Sequence, residues 1–134
     1  MIFGKKPKPA DAGPTRQAFE TPRCRAEVAG TAAIARIRVG FITETETTPL
    51  LADLEKAAAE SPGLKLAIDL ADVEALASAG IGMLVRLHQG LKAKGGRVTL
   101  FNTNDQLLEM LKIARMDKLL DFKPSEQNAI AALG

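Results

Sequence analysis

Three carboxylates, Asp69, Asp72 and Glu74, fall within six positions at the end of an alternating apolar run. Sites in α/β proteins often form beyond the carboxyl end of a strand, and oxygen ligands placed there suit a divalent cation. The spacing is irregular and no histidine lies near, so turn formation at Asp72 is the plainer account and no metal is expected. Cys24 is the single cysteine. With no second thiol and no Cys/His cluster, it reads as a small, partly buried thiol rather than a nucleophile or ligand. His88, the single histidine, projects within about 40° of Leu84 on a helix, which makes it a partly buried, hydrogen-bonded side chain before it is a base. Gly80 and Gly82 begin like a dinucleotide fingerprint, but Val85 holds the third glycine position and a long loop replaces the tight strand-to-helix turn. No Ser/His/Asp combination, HExxH or P-loop is present. These residues support neither catalysis nor a cofactor, and the expectation is a protein that is not an enzyme.

The elements that must carry these residues alternate in type. Residues 24–28 and 33–39 flank Gly30 and Thr31 and predict an antiparallel hairpin. Thr48 followed by Pro49 reads as an N-cap with proline at the first helical position, ahead of a stripe of Leu50, Leu51, Leu54, Ala57 and Ala58 that stops at Ser61, Pro62 and Gly63. Leu64, Leu66, Ile68 and Leu70 alternate with Lys65, Ala67 and Asp69, the period of a strand with one buried face. A second helix follows Ser78 and runs to about Lys94, with Ile81, Leu84, Val85, Leu87 and Leu91 on one side and Gly95 and Gly96 at its end. Residues 97–101 form a further short strand, and Thr103 with Gln106 makes a capping box for a third helix. This order predicts an α/β fold: a mixed, mostly parallel central sheet entered by an N-terminal hairpin and flanked by amphipathic helices.

The 134 residues suit one domain, expected over 22–134, and a second core would leave each half too small to bury much surface. Residues 1–21 hold Pro7, Pro9 and Pro14 with Lys5, Lys6, Lys8 and Arg16, and read as a flexible basic tail. Lys and Arg number 18 against 16 Asp and Glu, and the excess is not gathered on a folded segment with interleaved aromatics, so nucleic acid is not expected as a partner. The longest uncharged run, residues 75–85, is too short and too rich in Gly and Ser to span a bilayer. The lone cysteine and the absence of an apolar secretory leader point to the cytoplasm.

Four stretches carry a family resemblance by their order and spacing: Leu66, Ala67, Ile68, Asp69 and Leu70; the run Ala77, Ser78, Ala79, Gly80, Ile81, Gly82, Met83 and Leu84; the run from Leu91 to Gly96; and that from Leu111 to Leu120. Together they resemble a STAS domain, the fold of anti-sigma factor antagonists and of the cytosolic tails of sulfate transporters. The likeness is strong over residues 64–122 and looser over the hairpin and first helix. It implies a STAS-like fold and a protein partner, an anti-sigma factor or related regulator.

In antagonists of the partner-switching kind the loop before the second helix reads Asp-Ser-Ser/Thr-Gly, and the hydroxyl directly before the glycine is phosphorylated. Here that position is Ala79, the acid falls on Ala77, and Ser78 and Gly80 remain. A methyl group has no oxygen to accept phosphate, so no phosphoswitch is expected at Ala79. Ser78 is read as the N-cap of the second helix rather than as a displaced phosphosite. An Asp-Ser/Thr-Ala-Gly variant resembles the STAS subunits of lipid-trafficking ABC systems, which supplies a second functional reading with ABC transporter subunits as partners. The expected docking face comprises Ala77, Ser78, Ala79, Gly80, Gly82, Met83 and Arg86. Met83, about 100° from the apolar stripe, is placed near solvent as either a binding-surface methionine or a scattered exposed one. A third reading has an anion or small ligand meeting free N–H groups at the Gly80 helix start.

Overall fold

A computed structural model describes residues 15–134. Strands β1 (Arg16–Glu20), β2 (Cys24–Ala29) and β3 (Ala32–Ile37) form an antiparallel meander. Gly30 takes φ +63°, the left-handed backbone that a two-residue hairpin loop asks of its first residue. After β4 (Phe41–Ile42) and α1 (Glu44–Ala58) the chain enters β5 (Lys65–Asp69), then β6 (Ala75–Leu76), α2 (Ser78–Ala93), β7 (Arg97–Phe101), α3 (Asp105–Ile113), a 3-10 turn at Met116–Lys118, β8 (Asp121–Lys123) and α4 (Glu126–Ala131). The main sheet has the order β1-β2-β3-β5-β7-β8, with β3, β5, β7 and β8 parallel. The short β4 and β6 pair in parallel beside it. The mixed, mostly parallel sheet with its entry hairpin is the architecture expected from the sequence.

The main core lies between one sheet face and helices α1, α2 and α3, with Leu50, Leu54, Leu84, Leu87, Leu107 and Leu111 meeting Leu66, Ile68 and Leu100. The other face is covered by α4, where Ala129 and Leu133 pack on Ile34, Ala67 and Phe101. β5 is therefore buried on both faces, where one buried face was expected. Alanine at position 67 conceals this in the sequence, because a small side chain is compatible with either a covered or a solvated face.

Three further expectations are corrected. Residues 16–20, assigned to the tail, form an edge strand whose Ala18 and Phe19 pack against the core. Thr21 then donates its hydroxyl to Asp53 of α1 at 2.8 Å. The tail before residue 15 lies outside the described residues. Helix α1 begins one turn before Thr48: Thr43 is its N-cap, the Glu46 carboxylate accepts the Thr43 N–H at 3.0 Å, and Pro49 sits inside the helix. The two readings differ because Thr43 with Glu46 is itself a capping box, and it prevails over the Thr48–Pro49 signal. At α3 the cap is Asn104 rather than Thr103, its side chain accepting the Leu107 N–H at 2.7 Å.

Candidate partner-binding face at the start of α2

The segment leading into α2 is positioned by the β4–β6 pair. The Glu74 N–H donates to the Gly40 carbonyl at 2.7 Å and the Ala77 N–H to the Ile42 carbonyl at 2.9 Å, which ties the helix start to β4. Ala77 is the N-cap residue, and its carbonyl accepts the N–H groups of Gly80 at 2.8 Å and Ile81 at 3.2 Å. Ser78 is corrected from cap to first helical residue: it is exposed, and no side-chain hydrogen bond caps the helix. An extended Ala77 turning directly into the helix leaves Ser78 one position too late to cap.

Gly80 is buried, and a Cβ built there would lie 3.3 Å from Ile42 Cγ2 and 3.4 Å from Leu76 Cβ. The missing side chain is what lets α2 approach β4 and β6 so closely. The Gly80 N–H is bonded to the Ala77 carbonyl and its flank is filled by Ile42, so this N–H is not among the free ones at the helix start. Gly82 is the opposite case: it is exposed, and a Cβ would meet nothing within 4 Å.

Of the expected docking residues, the structure gathers Ala79, Gly82, Met83 and Arg86 along one groove of about 300 Å3, facing Glu44, Thr47, Thr48 and Leu51 of α1. Ala77, Ser78 and Gly80 do not line it. Met83 is corrected outright, being 3% exposed and part of the core. A helical projection assumes a single buried direction, whereas α2 is covered on two flanks, by the sheet and by α1. Arg86 is exposed and makes no ion pair with a described residue. The α1 half of the groove had no signal in the sequence, since an exposed run of Glu and Thr in a separate helix looks like any solvated face. Near its rim, hydrogen bonds from the Thr43 hydroxyl and N–H hold the Glu46 carboxyl below its usual range.

The groups with the chemistry to react lie elsewhere and are otherwise engaged. Cys24 is fully buried, and burial first, then the Asp53 charge, push its thiol up to about 12, with Arg23 opposing. Asp53 itself accepts from Arg23 Nε at 2.9 Å. Asp69 accepts from Arg36 at 2.9 Å, from Asn102 at 3.0 Å and from the Ala71 N–H at 2.9 Å, so it holds the chain together. Around Arg36 the sequence reading missed a cluster: its guanidinium also donates to Glu27 at 3.0 and 3.1 Å and to Glu126 of α4 at 3.0 Å. The pairing Arg25↔Arg36 in β2–β3 and Arg36↔Asp69 in β3–β5 places these charges on the face beneath α4. Desolvation disfavours the Glu27 charge, but hydrogen bonds and charge from Arg36 outweigh it and hold the carboxyl below its usual range. Among the described residues no group of three or more His, Cys, Asp and Glu side chains is placed to hold a metal ion. No helix of the described residues is long and apolar enough to cross a membrane.

The family described as "Mlab, STAS domain" matches residues 31–121. The chain belongs to the STAS domain family. A search of the curated proteins returns no match. Among solved structures, an anti-sigma-factor antagonist (STAS) domain protein from Planctomyces limnophilus is 22% identical with a TM-score of 0.71, over 83% of this chain and 97% of its own. An anti-sigma factor antagonist from Mycobacterium paratuberculosis is 22% identical with a TM-score of 0.71, over 82% of this chain and 92% of its own. A sulfate transporter family protein from Wolinella succinogenes is 16% identical with a TM-score of 0.62, over 78% and 87%. At these identities the likeness shows the fold alone. The STAS domain here thus carries Ala79 half-buried on the wall of an open groove, between the tethered start of α2 and the exposed Gly82 and Arg86.

Proposed function

We propose that this STAS domain is a non-catalytic regulatory module that docks a protein partner on the first half of α2 and the facing turns of α1. The observation that carries the reading is the groove itself: Ala79, Gly82, Met83 and Arg86 meet Leu51, Thr47, Thr48 and Glu44 around apolar surface rimmed by one acid and one base. A partner segment set against Gly82 approaches backbone with no side chain in the way, and Arg86 is a long, unpaired donor at the edge. The partner is an anti-sigma factor or related regulator, met in the cytoplasm, and binding is not switched by phosphate at Ala79. Capture from lysate by the full chain, compared with Gly82→Glu and Arg86→Glu, tests the face. Both substitutions fall on exposed positions, so melting should not fall while capture is lost; capture equal to wild type in both variants would place the surface elsewhere. Incubation with ATP and a captured kinase-like regulator, followed by intact mass, should show no added phosphate, and stoichiometric phosphate on Ser78 would overturn that part.

A second reading, a subunit docked on an ABC-type lipid-trafficking assembly, is favoured by the methyl group at position 79 and by the occurrence of the fold in a transporter-family protein. Mass spectrometry of the captured material separates the two. An ATPase subunit supports transport, and a kinase-like regulator supports sigma control.

A further inference from the structure

At the far end of α2, about 20 Å along the helix from Ala79 at 1.5 Å per residue, lies a second cavity of about 500 Å3. That volume is in the range of small-molecule sites. His88 and Lys92 line it from the last turns of α2, Arg97 and Val98 from the start of β7, and Leu119 and Asp121 from the segment entering β8. Lys92 and the Arg97 guanidinium stand there almost uncompensated. Lys92 makes no ion pair with a described residue, and Arg97 reaches Asp121 only at 3.9 Å, while Asp121 is engaged more closely by Lys123 at 3.2 Å. His88 is half-buried and, contrary to its expected hydrogen-bonded role, makes no side-chain hydrogen bond to a described residue. The apolar part of the lining is Val98, buried, and Leu119, which is 38% exposed. The rim at Gly95 is bare backbone at φ +85°, with nothing within 4 Å of where a Cβ would stand.

We propose that this cavity binds a small soluble phosphate monoester with an apolar body, independently of the docking face on α1 and α2. The charge count selects the ligand class. With the Asp121 carboxylate offset by Lys123 at 3.2 Å, Lys92 and Arg97 leave two net positive charges at the cavity, which match the near-dianionic charge of a phosphate monoester at neutral pH, about −1.5 to −2, better than the single charge of a carboxylate. Arg97 supplies a planar fork for two phosphate oxygens and Lys92 a point charge, His88 adds one more polar contact, and Leu119 with Val98 receives the apolar body.

The test is a titration of the full chain, followed by backbone amide NMR, with phenyl phosphate and in parallel with inorganic phosphate. Phenyl phosphate should give saturable shifts centred on Gly95, Gly96, Arg97 and Val98, with little change at Gly82 or Arg86. Inorganic phosphate should bind about tenfold more weakly for want of the apolar contact. The pair Lys92→Gln with Arg97→Gln, both exposed positions, should weaken phenyl phosphate at least about tenfold with unchanged melting. Leu119→Ser should weaken phenyl phosphate while leaving inorganic phosphate as it was. Shifts that fail to saturate, that spread over lysines elsewhere, or that survive in the double variant overturn the proposal, as does equal affinity for the two probes.

Discussion

Gly82 and Met83 are adjacent in sequence and opposite in environment, one open to solvent and the other 3% exposed. Met83→Glu places a carboxylate in the core and should destabilise the fold by about 3 kcal/mol or more. Gly82→Ala fills open space at a helical position and should stabilise it by about 0.5–1 kcal/mol. Urea unfolding of the two variants decides both signs, and a neutral Met83→Glu would mean that the α1 flank is not packed as described. Cys24 belongs to the same scale. Its thiol is raised from 9.0 to about 12, so the folded state favours the neutral form. The associated stability is complete below pH 9 and is lost as pH rises towards 12. A thiol reagent at pH 8 should therefore label Cys24 only as fast as the chain opens, and prompt stoichiometric labelling of the native protein would contradict its burial.

Edge strand β1 is the element whose role is most open to a direct test. A chain starting at Pro22 loses β1, uncovers the surface under Ala18 and Phe19, and leaves Asp53 without Thr21. It also removes the Phe19 ring that lies 4.5 Å beneath the Lys56 ammonium. The expected cost is about 2 kcal/mol or more, on the order of 8 °C in melting temperature. A chain starting at Thr15 should melt with the full sequence. Equal melting of both truncations would return residues 16–20 to a dispensable tail.

Across the whole molecule, Arg36 ties β2, β3 and β5 to α4 by pairing with Glu27, Asp69 and Glu126. Arg36→Met would leave Asp69 and Glu126 without their cation and Glu27 with Arg25 alone, and should cost about 3–5 kcal/mol at pH 7. The pH dependence has a definite sign. Glu27 titrates below 4.5 in the folded state, so its contribution is present above that pH and is lost as pH falls through the depressed value. The variant lacks this contribution, so its deficit against wild type should hold from pH 7 down to about 4.5 and narrow as pH falls below that, as read by chemical denaturation at each pH. A deficit independent of pH would show that Arg36 acts through packing alone.

The hairpin at Gly30, the alternating run of β5 and the stripe of α2 were readable because each depends on residues close together in the chain. The family likeness was readable for a related reason: its motif from Ala77 to Leu84 is one continuous stretch. By itself the sequence therefore determined the order of most elements and the mixed parallel sheet. Tertiary structure decided what depends on partners distant in sequence. Met83 is buried because α1 crosses its flank, β5 is covered twice because α4 returns to the second face, and Arg36 meets Glu126 across 90 residues. Residues 16–20 form a strand because β2 offers them an edge. Local periodicity records one buried direction per element, and these residues answer to two.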